Sequence, residues 1–213
     1  MAGEPVYDYV IQAVTGMVDA QRDPVTDVHD LTRHFPADKI TAHATVEAIL
    51  AALFARERDP ERRGQHVEVS MHEANLSFMW PDAMMQHSII EEVDDPDLYP
   101  AEYYRVYPTV DGAIVIMPLM TPSDGICKAI GRTDLTATGQ FTDLTNQNLH
   151  DFQDIIAQQV ASWTTEHALA TFRDHDVPVG PVIARDELHL HPQAIARNSI
   201  PIHSEAPMGP IRS

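Results

Sequence analysis

The chain has 213 residues, the size of one large domain or two small ones, and its 44% apolar content is enough for a buried core, which excludes general disorder. Lys and Arg number 14 against 32 Asp and Glu, a formal charge of −18 that repels phosphate backbones and anionic headgroups, so nucleic acid and membrane surfaces are poor partners and neither is expected. The single cysteine, Cys127, can form no internal disulfide, there is no basic N-terminal leader, and the apolar run Ala48 to Ala55 is too short to span a bilayer, so a cytoplasmic protein is expected.

Tyr7 to Ala20 predicts a helix, because Tyr7, Val10, Ile11, Val14, Met17 and Val18 recur at three- and four-residue spacing as one apolar stripe. A 16-residue connection follows, QRDPVTDVHDLTRHFP, long enough to suggest a functional loop. Ala37 restarts a helix and opens the most regular segment, in which Ile40, Ala44, Ala48, Leu50, Leu53 and Phe54 are interspersed with further alanines. Asp38, just after Pro36, stands where an N-cap belongs. After the charged turn ARERDPERRG, QHVEVSM alternates, with Val67, Val69 and Met71 on one side, and predicts a short strand. Helix resumes over His72 to Glu92 with a break or kink at Pro81. The acidic, proline-bearing EEVDDPDLYPAE then marks a linker.

The second half opens on a hairpin signal, YYRVYPTV and AIVIMP joined by Asp111-Gly112. Helices are expected over Pro122 to Ile130 and Leu149 to Trp163, the latter continuing into Thr165 to His175 after a break at WTT. VPVGPVI reads as β, Asp186 to Arg197 as short helical turns, and the proline-bearing tail as aperiodic. The fold class is therefore α/β, α+β in detail.

Twelve histidines raise the question of a metal, but His189 and His191 stand at i, i+2, His29 and His34 lie in the long loop, and no HExxH or Cys/His zinc spacing occurs. They read as surface or capping histidines, and no metal is expected. No GxGxxG, Walker A or GxSxG motif is present. Cys127 reads as a packed thiol rather than a nucleophile. Asp38 is different in position: a carboxylate at a helix start faces free N–H groups that favour its ionised form, and an ionised carboxylate can attack an activated acyl group. From spacing alone, an aspartate in this place is usually only an N-cap, and something beyond spacing is needed to promote it.

The run ADKITAHATVEAILAALFARERDPERRGQHVEVSMHEA resembles the central segment of the class III CoA-transferases of CaiB/BaiF type, the superfamily that also holds formyl-CoA transferase and the α-methylacyl-CoA racemases. The likeness lies in an Asp opening an Ala-rich helix, a charged turn, then Gly64-Gln65 leading into V-x-V-S-M with an acid two places later. It extends through YDYVIQAVTG before it and RVYPTVDGAIVIMP, GRTDL and DVPVGPV after it.

The resemblance implies that Asp38 is the nucleophile, attacking an acyl-CoA thioester and passing through an aspartyl-CoA intermediate to a small carboxylic acid acceptor. It implies coenzyme A as the substrate carrier, with Tyr7 and Met71 at the CoA site, Glu73 nearby, and an interlocked homodimer. Tyr7 stands where racemase members carry histidine, so racemase activity is disfavoured. Each of these residues has a plainer reading as well: Tyr7 as a core aromatic on the first helix, Met71 as core, Glu73 as an exposed helix-start acid.

Family members are nearly twice this length. The likeness therefore implies a truncated or partial member: residues 1–92 a partial large-domain segment with the nucleophile, 93–103 a linker, 104–185 a small α+β domain and 186–213 a return linker, without the N-terminal Rossmann-like half. The alternative is a non-catalytic α/β module, or a partner chain completed by a second polypeptide. With few basic groups to meet the anionic cofactor, the chain alone is expected to bind CoA weakly.

Overall fold

A computed structural model describes residues 5–23, 26–88, 90, 104–118, 123–139, 141, 146–205, 207 and 209–212. The expected linker 93–103 lies outside the described residues, as do Pro122 and the expected helical residues 89, 91 and 92. The chain divides into two compact units, Met1–Tyr104 and Arg105–Ser213.

In the first unit the expected helix over Tyr7 to Ala20 is two pieces, α1 (Asp8–Val14) and α2 (Met17–Ala20). Gly16 takes φ +82° between them, a left-handed conformation that glycine adopts without a Cβ penalty. The predicted apolar stripe is not the buried face. Ile11 and Met17 are buried, but so are Asp8, Gln12 and Thr15, whereas Tyr7 is 64% exposed and Val14 is also exposed.

The long helix α3 (Pro36–Arg58) begins with proline at its first position, where the missing N–H costs nothing, and ends with Arg56 and Arg58 in its last turn, complementing the dipole. Of its residues only Ala37 is fully buried; Val46, Ile49, Leu50, Leu53 and Phe54 are exposed. The strand expected over QHVEVSM is absent: residues 62–70 are irregular, and no described strand lies in this unit to pair with them. Met71 instead opens α4 (Met71–Ala83), capped by Ser70, whose Oγ accepts from the Glu73 N–H at 3.3 Å. Pro81 sits near the end of α4, which runs on to Ala83 before a 3₁₀ turn over Met85–Ser88.

The second unit holds the hairpin. β1 (Val106–Pro108) pairs antiparallel with β2 (Ala113–Val115), setting Tyr107 opposite Ile114, and β2 pairs antiparallel with β3 (Gly180–Pro181). Helices α5 (Ser123–Ala129), α6 (Thr133–Thr138), α7 (Asn146–Val160) and α8 (Thr165–Asp174) connect β2 to β3. Tyr107, Ile114, Ile126, Phe152, Ile156 and Phe172 form the centre of one hydrophobic core. α9 (Pro192–Arg197) follows, and the tail expected to be aperiodic forms a second small hairpin, β4 (Ile202–His203) with β5 (Ile211–Arg212). The architecture is mixed, helices with small antiparallel sheets, in agreement with the α+β expectation.

Cys127 lies in this core on α5, and burial pushes its thiol pKa up. It is therefore expected to react with a disulfide reagent at least about a hundredfold more slowly in the native chain than in urea, and equal rates would contradict the packing.

The hairpin turn also caps a helix. The Asp111 carboxylate accepts from the Thr165 N–H at 2.7 Å and the Thr165 hydroxyl at 2.8 Å, and the N–H bond foremost holds its pKa below the ordinary value. A carboxyl with a depressed folded pKa adds stability above its unfolded pKa of about 3.9, and that stability is lost as pH falls through the folded pKa. The urea midpoint of Asp111→Asn is thus expected below wild type at pH 7, and the two should converge below about pH 4. A gap that stays constant down to pH 2 would rule this out.

Candidate functional site

Asp38 is exposed, at the third position of α3 rather than the cap. Phe35 occupies the cap and offers no side-chain hydrogen bond. The expected N-cap role of Asp38 is thus corrected: its backbone N–H is itself capped, donating to Oδ2 of Asp8 at 3.1 Å. Asp8 is 4% exposed. Its other carboxylate oxygen accepts from the Gln12 amide, one helical turn along α1. Gln12 in turn accepts from the Thr32 N–H at 3.0 Å and donates toward the carbonyls of Thr32 and His34 at 3.3 and 3.4 Å, tying down the loop that enters α3.

On the other side stands Asn75 of α4, fully buried. Its Nδ2 donates to the carbonyls of Met71 at 2.8 Å and Ala37 at 3.2 Å, and lies 3.2 Å from the Thr41 hydroxyl. The start of α3 is therefore held by three buried polar side chains from two other helices, while the Asp38 carboxylate has no hydrogen bond or ion pair among the described residues. An exposed carboxylate with no hydrogen-bond or ion-pair partner among the described residues can attack an electrophile.

The other expected residues border the same cluster through their neighbours. Tyr7 precedes Asp8, lies at the cap of α1, and stacks on Tyr9 with centroids 6.1 Å apart; it is not a buried aromatic. Met71 is half-buried at the start of a helix, not on a strand, and its carbonyl meets Asn75. Glu73 is exposed, its N–H engaged by Ser70. Asp8, Gln12 and Asn75 are not among the residues the sequence singles out. The i, i+4 spacing of Asp8 and Gln12 is a usable signal for the first two; for Asn75 there is no local one.

The histidines serve structure where the contacts are clear: His191 caps α9, its Nδ1 accepting from the Gln193 N–H at 3.2 Å, and His29 lies 3.1 Å from Asp19. Among the described residues no cluster of three or more His, Cys, Asp or Glu could hold a metal ion. No described helix is long and apolar enough to cross a membrane.

The family model of CoA-transferase family III matches residues 1–213. The chain is 25% identical over 204 residues to the succinate–glutarate CoA-transferase of Agrobacterium fabrum, covering 90% of this chain and 48% of that one. It is 25% identical over 199 residues to the succinyl-CoA–D-citramalate CoA-transferase of Chloroflexus aurantiacus, covering 89% and 46%. A crystal structure of a CaiB/BaiF family protein from Brucella suis superposes with a TM-score of 0.70 at 21% identity, over 100% of this chain and 56% of that one. The chain thus spans about half the length of the curated relatives it matches.

Proposed function

Because this chain belongs to CoA-transferase family III, we propose that its site moves CoA between carboxylic acids, with Asp38 as the nucleophile. The observation that carries this is the Asp38 carboxylate itself, exposed and unpaired among the described residues, at the start of a helix whose first turn is otherwise locked by buried polar groups. The carboxylate attacks the thioester carbonyl of an acyl-CoA, the C–S bond breaks, and a mixed anhydride and CoA thiolate form. The thiolate then attacks the Asp38 carbonyl, expelling the first carboxylate and leaving an aspartyl-CoA thioester. An acceptor carboxylate collects the CoA by the reverse sequence and frees Asp38. Tyr7 and Met71 border the CoA in this proposal, and residues 1–92, 93–103, 104–185 and 186–213 are its large-domain segment, linker, small domain and return linker.

The test is to incubate the chain with succinyl-CoA, quench, and locate any CoA or acyl adduct by peptide mass spectrometry. An adduct on Asp38 that disappears in Asp38→Ala supports the proposal; one that persists there, or maps elsewhere, defeats it. A racemase is not favoured, since the named relatives are CoA-transferases.

A second reading, a module that needs another polypeptide to grip CoA, is favoured by the arginines already engaged with acids, such as Arg62 with Glu57 and Arg63 with Asp59. Calorimetric titration decides between them: micromolar CoA affinity for the chain alone would exclude this reading. A homodimer belongs to the same proposal, supported by the exposed apolar row Val46, Ile49, Leu50, Leu53 and Phe54 of α3. A clean monomer by light scattering would count against it. The single cysteine supports a cytoplasmic setting.

A further inference from the structure

We infer that Asp8 is the positioning residue for Asp38, an assignment that rests on the nucleophile reading above. A helix is ordinarily capped by the residue just before it, whose side chain accepts the N–H of the second or third position at no tertiary cost. Here that position is Phe35, which cannot accept, and Pro36 contributes no N–H. The acceptor comes instead from 30 residues earlier in sequence, and it takes the N–H of the very residue proposed to react.

Burying a carboxylate is costly, and a local serine or asparagine at position 35 would cap α3 without that cost. What the distant cap adds is a fixed geometry. Asp8 is oriented by Gln12, Gln12 is bonded to the loop at Thr32 and His34, and the loop runs into Phe35 and Pro36. Asn75 holds the Ala37 carbonyl from the side of α4. The backbone of residues 37 and 38 is thereby held at both its N–H and its C=O, and the direction in which the Asp38 side chain leaves the helix is set by buried groups. A buried network of this kind specifies one arrangement, and reactions are sensitive to displacements of about 1 Å in a reacting group.

The experiment compares wild type, Asp8→Ala, Asp8→Ala with Phe35→Ser, and Asp38→Asn. Amide exchange read by NMR is the first measurement, because the third N–H of a helix has no intrahelical acceptor and is protected only if something else takes it. In Asp8→Ala the Asp38 amide is expected to exchange at least about tenfold faster, with the amides of residues 45–52 unchanged. CoA transfer from succinyl-CoA is the second: kcat is expected to fall about 10- to 100-fold with KM within about threefold, and Phe35→Ser to recover part of both effects by supplying a local cap to the same N–H.

Unchanged exchange at Asp38, a kcat equal to wild type, or a loss confined to KM overturns the role of Asp8. Full transfer by Asp38→Asn defeats the nucleophile reading instead, and the exchange result then still decides whether Asp8 holds this turn. If the chain shows no turnover, amide exchange by itself decides whether Asp8 holds Asp38 in place.

Discussion

Asp38→Asn is expected to lower CoA transfer by about 10³-fold or more while leaving stability within the range of a surface substitution, about ±0.5 kcal/mol. The two halves of that expectation come from different observations. Asp38 is exposed, and its carboxylate makes no hydrogen bond or ion pair among the described residues, so an amide of the same shape removes little from the folded state. The bond that holds this turn in place runs through the backbone N–H of Asp38 and survives the substitution. An amide, however, cannot form the anhydride on which the proposed transfer depends. Asp38→Glu separates charge from position: it keeps a carboxylate and moves it by one methylene, and a loss of about 10²-fold is expected from misplacement alone. Thermal melts alongside steady-state rates check both. If Asp38→Asn melts far below wild type, Asp38 belongs to the fold more than to the chemistry. If it transfers CoA normally, the nucleophile lies elsewhere.

The parts of this fold legible in the sequence are those whose cause is local. Asp111-Gly112 between two β-rich runs predicts the hairpin, and β1 and β2 flank that turn. Alanine-rich periodicity predicts α3, which runs from Pro36 to Arg58. The alternation of Val67, Val69 and Met71 misleads because a strand exists only when its backbone groups find a neighbour, and the described part of this unit offers none. Ser70 and Glu73 at capping-box spacing are the better local signal there, and they place Met71 at the start of a helix. β4 and β5, two residues each, are too short to leave any period. At the candidate site, Asp38 is visible as a helix-start acid, but its cap is not, because Asp8 lies 30 residues away and no spacing rule reaches that far. The same limit hides Asn75, which is 38 residues from the carbonyl it holds.

Phe152→Ala is expected to destabilise the second unit by about 3–5 kcal/mol, a large share of the roughly 5–15 kcal/mol available to a domain. Phe152 lies on α7, is fully buried and stacks on Phe141 with ring centroids 4.7 Å apart, so truncation leaves a cavity bounded by side chains that already interdigitate. Phe54→Ala supplies the contrast, since Phe54 on α3 is 64% exposed and truncation there removes little buried contact. The two units differ in the same way overall. The apolar core of the second is extensive, whereas the buried apolar residues described in the first are Ile11, Met17, Ala37 and Met79. Trp163 reports on the second unit, since its ring lies 6.0 Å from that of buried Phe172. In a Trp80→Phe background its fluorescence melt is expected to drop by about 12 °C or more on Phe152→Ala, and by only a few degrees on Phe152→Leu, which fills much of the space. A small shift in both would mean that α7 can relax into the gap and that the core of this unit is held elsewhere.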